Sequence, residues 1–76
     1  MSQARNIVDA LGGFDTIVEI EPCITRLRCE LEAGALVDEA ALRAAGAHGV
    51  VRRGGTVQVV VGPSADTLAE DIEDLR

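Results

Sequence analysis

Apolar residues recur along this chain with two periods, and the switches between them mark out the elements. In residues 3–11, Ala4, Ile7, Val8 and Leu11 fall three and four apart, the spacing of one apolar stripe on a helix. Gly12-Gly13 ends that helix, since glycine readily takes the left-handed cap. Val18 and Ile20 then alternate with Glu19 and Glu21, the period of a strand. Pro22-Cys23 is expected to turn the chain, because proline brings no N–H to a ladder. Residues 25–31 run back as the second strand of a hairpin. Leu27, Cys29 and Leu31 share its apolar face, and Arg26 and Arg28 share the other.

After a loop over residues 32–37, Asp38 is placed to cap a second helix whose buried side is Ala41, Leu42 and Ala45, with Gly46 closing it. Residues 49–53 and 56–61 flank Gly54-Gly55, a two-residue hairpin signal. In the last strand Val57, Val59 and Val61 form one face, and Thr56, Gln58 and Val60 the other. Gly62-Pro63-Ser64 breaks it, and Ser64 is expected to cap a third helix with Ala65, Leu68, Ile72 and Leu75 inward and an acidic face outward. Helix, hairpin, helix, hairpin, helix predicts an α+β two-layer sandwich of four mostly antiparallel strands and three helices. The pattern leaves the order of strands open. No repeats or linkers interrupt residues 1–76, which read as a single domain.

Composition narrows the picture. A chain of 76 residues buries only about 60% of the surface its unfolded form exposes. The core must be aliphatic, since a single phenylalanine is the only Phe, Tyr or Trp in the sequence. No run approaches the roughly 20 apolar residues of a membrane helix, and the amino terminus lacks a signal-peptide pattern, so a cytoplasmic protein without direct membrane insertion is expected. The net charge is −6 and every basic residue is arginine. An acidic chain without a basic block disfavours nucleic acid and anionic lipid as partners. Two cysteines in such a context should be free thiols. With Cys23 at a turn, Cys23 and Cys29 would lie about 15–20 Å apart, beyond disulfide reach. There are too few cysteines and histidines for a structural zinc site, and no cofactor is called for.

The chemistry concentrates in Glu21-Pro22-Cys23-Ile24-Thr25-Arg26-Leu27-Arg28. Two guanidinium groups near a thiol favour its thiolate and offer planar forks suited to phosphate. The backbone N–H groups of Ile24 and Thr25 and the Thr25 hydroxyl would complete an anion-binding concavity. Cys23 is either a small inert residue or a nucleophile displayed at a turn; Cys29, which shares parity with Leu27 and Leu31, reads as core. Arg26 and Arg28 either neutralise a phosphoryl group or form exposed pairs with Glu19 or Glu21. Glu21 either sits in water or repels incoming phosphate and keeps a phosphoryl bond labile. Gln58 reads as a solvent-facing polar residue, and Arg52-Arg53 as hairpin-end solvation. His48 has no neighbouring hydroxyl or acid in sequence to support a phosphohistidine role.

Cys23-Ile24-Thr25-Arg26-Leu27-Arg28 resembles the signature of the enzyme IIB domain of the bacterial sugar phosphotransferase system, glucose/N-acetylglucosamine family. Leu11-Gly12-Gly13, then Leu42 with Gly46-Ala47-His48-Gly49-Val50-Val51, then Val57-Gln58 and Gly62 resemble its further landmarks, in order, across nearly the whole chain. Pro22, where a small or polar residue is expected, and Cys29 depart from the pattern. The resemblance implies the same two-layer fold and a phosphoryl carrier. Cys23 would attack the phosphohistidine of a IIA partner and become S-phosphocysteine. It would then pass the group to a hexose, glucose or N-acetylglucosamine, held by the membrane-embedded IIC permease, with the domain docked at the inner membrane face. The Met1 start suggests a free-standing subunit. Two rivals stay open: a redox thiol, which lacks a nearby resolving cysteine, and a regulatory or interaction module in which Cys23 is incidental.

Overall fold

A computed structural model describes residues 2–76. Three helices, α1 (Gln3–Ala10), α2 (Glu39–Ala44) and α3 (Ala65–Asp74), cover one face of a four-stranded antiparallel sheet. Its strands are β1 (Ile17–Cys23), β2 (Arg26–Leu31), β3 (Gly49–Arg53) and β4 (Thr56–Val60), in the order β1-β2-β4-β3. The two-layer α+β sandwich is therefore present, and the strand order that the pattern left open places the two hairpins side by side through β2 and β4.

One face of each element feeds the core. Ile7, Val8 and Leu11 from the first helix and its cap meet Leu27 and Cys29 of β2, Leu42 of α2, Val57 and Val59 of β4, and Leu68 and Ile72 of α3, all fully or almost fully buried. Helix-end capping is local. Ser2 accepts the Arg5 N–H at 3.1 Å, and Asp38 accepts the Ala41 N–H at 3.0 Å, each satisfying a donor that the helix leaves open. Ser64 does not cap as expected. Residues Gly62–Ser64 form a 3₁₀ turn that runs directly into α3, and the Ser64 hydroxyl turns back to the Val61 carbonyl at 3.4 Å.

Two further expectations are corrected in the first hairpin. The alternation of Val18 and Ile20 is broken by a register shift between Ile17 and Glu19, so Ile17 is buried and Val18 stands 54% exposed. A bulge of this kind accommodates one extra residue and bends the strand. The turn also lies two residues later than expected. Pro22 and Cys23 belong to β1, paired with Leu27 and Arg26, and Ile24-Thr25 makes the turn. Pro22 is tolerated there because β1 is an edge strand, where an N–H need not be supplied to a neighbour.

Candidate functional site

The register fixes what shares the uncovered face. Opposed residues point the same way and side chains alternate, so Glu19, Glu21 and Cys23 of β1 stand beside Glu30, Arg28 and Arg26 of β2. Thr56, Gln58 and Val60 of β4 and Arg53, Val51 and Gly49 of β3 continue those rows. Cys23 thus closes β1 directly across from Arg26, on the rim of the open face, and it is exposed.

The turn that joins them is strained. Ile24 has φ +57°, the left-handed region that a β-branched residue seldom adopts. Its side chain is 88% exposed, so no packing compensates for the strain locally. The turn is instead pinned from below: the Thr25 carbonyl accepts the N–H groups of both Val61 and Gly62 at 3.0 Å. The N–H groups of Ile24 and Thr25 donate to no other backbone group among the described residues. His48 meets the same end of the sheet: its N–H donates to the Val60 carbonyl at 2.7 Å, and its ring stands beside Gly62.

The two arginines of the motif have different surroundings. Arg26 Nη1 donates to Gln58 Oε1 at 2.8 Å, a neutral partner that orients the guanidinium and leaves its charge intact. Arg28 is held by carboxylates, with Nη1 3.1 Å from Glu21 Oε1 and Nη2 3.3 Å from Glu30 Oε1. The Arg28–Glu21 pair is the cross-hairpin alternative read from the sequence. Glu30 was not singled out there, and its parity with Arg28 on β2 was the available signal. Gln58 carries more than a solvent-face role, which follows only once β4 is known to pair with β2.

The second thiol lies elsewhere. Cys29 is opposite Ile20 on the covered face, and both cysteines are free. Because the turn lies at Ile24-Thr25, the two Cα atoms are closer than expected, about 11 Å from strand rise and spacing, but still beyond disulfide reach and on opposite faces. Burial pushes the Cys29 thiol up from 9.0 to about 12, since a thiolate would be desolvated there. Among the described residues no group of three or more His, Cys, Asp or Glu is placed to hold a metal ion, and no helix is long and apolar enough to cross a membrane.

The site and fold define a small α+β domain that displays a thiol, with a guanidinium opposite, at the rim of an open sheet. Comparison with known proteins sharpens this class. The family described as phosphotransferase system, EIIB, matches residues 5–38. The chain is 61% identical over 74 residues to the N-acetylglucosamine-specific EIIB component of Streptomyces coelicolor, covering 97% of this chain and 96% of that relative. It is 46% identical over 67 residues to the N-acetylglucosamine-specific EIICB component of Bacillus subtilis, of which it spans only 15%. In a glucose-specific EIICBA component of Streptococcus pneumoniae the identity is 44% over 75 residues, 10% of that protein. Among solved structures, one domain of the PTS system IIabc component from Clostridium difficile shares the fold, with a TM-score of 0.74 at 22% identity over 96% of this chain and 77% of that one. The chain belongs to the EIIB family of the phosphotransferase system, in its glucose and N-acetylglucosamine branch.

Proposed function

We propose that Cys23 is the phosphoryl carrier of a sugar phosphotransferase relay, with residues 1–76 acting as one IIB domain. The observation that carries this reading is the placement of an exposed thiol directly across from Arg26, whose guanidinium is tethered to Gln58 without losing its charge. In the first step the Cys23 sulfur attacks the phosphorus of a phosphohistidine on a IIA partner; the S–P bond forms as the N–P bond breaks, and the histidine regains a proton. In the second step a sugar hydroxyl attacks that phosphorus, the S–P bond breaks, and the hydroxyl proton leaves to base or solvent. Splitting the transfer in this way is covalent catalysis. Charge spreads over the equatorial phosphoryl oxygens, so the protein's task is positioning and neutralisation.

Arg26 supplies that positive charge, with the Ile24 and Thr25 N–H groups and the Thr25 hydroxyl as further donors. Gln58 positions Arg26. Arg28 takes part through the same face, with Glu21 and Glu30 setting its orientation and drawing down its net charge. Glu21 thereby acts on the site through Arg28. The names of the relatives, EIICB and EIICBA, support a membrane IIC permease and a IIA donor as partners, at the inner membrane face. They also support glucose or N-acetylglucosamine as the acceptor.

The test is reconstitution. The chain is added to membranes that carry a N-acetylglucosamine or a glucose IIC without its own IIB, together with the phosphorylated IIA donor, and labelled sugar phosphate is measured. Transfer to one of the two sugars, lost with Cys23→Ser, is expected. Transfer that survives Cys23→Ser would reject the reading.

A further inference from the structure

The outer edge of β1 has no strand beside it. Cys23 and Arg26 close a two-residue turn as a hydrogen-bonded pair, and in an antiparallel ladder such pairs alternate. Glu21 and Glu19 therefore bond to β2 as well, while Ile20 and Pro22 turn their backbone groups away from the sheet. The far side of β2 keeps the same alternation: the Leu31 N–H donates to the Gly55 carbonyl, just before β4, at 2.8 Å. The edge thus offers the Ile20 N–H, the Ile20 carbonyl and the Pro22 carbonyl to an added strand. The bulge between Ile17 and Glu19 and the missing N–H of Pro22 confine pairing to these groups.

Beside this edge, on the helical side of the sheet, runs a groove of about 500 Å³ between β1 and α3. Its floor is apolar, made by Ile20, Pro22 and Ala69, with Ile20 only partly buried and Pro22 exposed. Its wall is α3, from which Asp66, Glu70 and Asp74 line the groove and make no ion pair among the described residues. Glu73 lines it too and is met by Arg76 at 3.5 Å. Asp66, Glu70 and Asp74 follow one another at the four-residue spacing of a helix row, about 6 Å between neighbours at ~1.5 Å per residue.

Free edge, apolar floor and acidic wall together select one kind of occupant. An extended chain added to a sheet edge gains affinity from main-chain bonds and specificity from every second side chain. Those alternate side chains repeat at about 6.6 Å, close to the interval of the carboxylate row on α3. The ones that enter the groove meet an apolar floor and an acidic wall. We propose that the groove between β1 and α3 docks an extended basic segment of a protein partner by strand addition to β1. The segment carries Arg or Lys at both ends of a five-residue stretch and an apolar residue at its centre, opposite Ile20. Its two basic side chains then stand about 13 Å apart, against about 12 Å from Asp66 to Asp74. A net charge of −6 repels a second copy of this chain and attracts a basic partner. Neither the thiol nor the arginines of β2 take part.

The experiment is an amide chemical-shift titration of the isotope-labelled full chain with the peptide Arg-Thr-Val-Thr-Arg, blocked at both ends, and with its Gln-Thr-Val-Thr-Gln counterpart. Shifts centred on residues 19–22 and 66–74 with the basic peptide alone, fading as salt is raised, are expected. The same basic peptide with N-methylvaline at its centre cannot donate to the Ile20 carbonyl and should bind about fivefold more weakly. Glu70→Lys, at an exposed helix position, should retain the dispersed spectrum and weaken binding by about fivefold or more, with Glu70→Gln between it and wild type. Cys23→Ser should bind as wild type does, which separates this proposal from the phosphoryl one. Absent shifts, equal binding of the N-methylated peptide, or an unaffected Glu70→Lys would overturn the proposal. So would argininamide giving the same shifts at equal concentration, which would make the groove a small-cation site. Shifts in the groove and over residues 49–53 that grow with protein concentration alone would also overturn it, because the occupant would then be the β3 edge of a second copy.

Discussion

Replacing Ile24 by asparagine should stabilise the domain, although the residue sits beside the proposed nucleophile. Its φ of +57° places an L-residue with a branched Cβ in the left-handed region, at a cost of roughly 1–2 kcal/mol. Asparagine tolerates that region far better. With the isoleucine side chain 88% exposed, its removal forfeits almost no buried area. The net gain is therefore about 1 kcal/mol, which for a chain of this length raises Tm by about 4–8 °C. A short series separates strain from packing. Ile24→Ala keeps a Cβ in the same conformation and should change stability little. Ile24→Gly removes the strain but adds about 0.5–1 kcal/mol of unfolded-state entropy, so it should fall between alanine and asparagine. Urea unfolding monitored by far-ultraviolet circular dichroism reads all three, the chain having no tryptophan for fluorescence. A loss of 1 kcal/mol or more with alanine would refute the reasoning, because it would mean that the side chain packs in the native state. Strain held at an exposed position next to the proposed nucleophile fits the tendency of such outliers to gather at functional sites.

Other outcomes follow from the same geometry. The folded-state value of Cys29 is raised by burial from 9.0 to about 12. The stability this thiol contributes is therefore complete below about pH 9 and lost as pH rises toward 12, by up to about 1.4 kcal/mol per unit. Urea midpoints of Cys23→Ser across that range should fall, and those of Cys23→Ser with Cys29→Val should not; a flat profile for both would contradict the burial argument. Arg28→Ala, which breaks two exposed pairs, should cost about 0.5–1 kcal/mol in urea unfolding, whereas Arg26→Ala should leave stability nearly unchanged and slow phosphoryl acceptance about a hundredfold or more. Equal kinetic losses for the two would undo the distinction drawn between them. Leu27→Ala, at a fully buried position of β2, should cost about 2–5 kcal/mol, a large part of the roughly 4–11 kcal/mol expected of a domain this size.

Most of the fold could be read from the chain because periodicity and punctuation agree in most segments. Ala4, Ile7, Val8 and Leu11 could face a core only from a helix, and Gly54-Gly55 between two valine-rich runs left little but a hairpin. The first hairpin was harder, for physical reasons. Proline is usually turn chemistry, yet at an edge strand it is tolerated, and the actual turn uses isoleucine in a conformation normally left to glycine or asparagine. Nothing in local propensity marks Ile24-Thr25 as a turn; the tertiary bonds from Val61 and Gly62 to the Thr25 carbonyl hold it. The bulge at β1 was equally silent, since Ile17 and Val18 are interchangeable in apolar pattern.

The candidate site was legible in part. Parity on β2 put Arg26 and Arg28 on one face, and the motif singled out Cys23. What parity within one strand cannot supply is the register between strands. That register gives Arg26 the Gln58 amide, sets Glu21 against Arg28, and carries Arg53 from a hairpin end onto the open face. The first of these depends on β2 pairing with β4, a contact between residues some thirty positions apart.

Whether Cys23 carries the phosphoryl group is read from intact mass. Wild type and Cys23→Ser are incubated with phosphoenolpyruvate, enzyme I, the phosphocarrier protein and a IIA donor shown to be phosphorylated. One added phosphoryl group is expected on wild type alone, released by iodine as for a thiophosphate ester. Equal phosphorylation of Cys23→Ser, or no added mass on either protein, would contradict it.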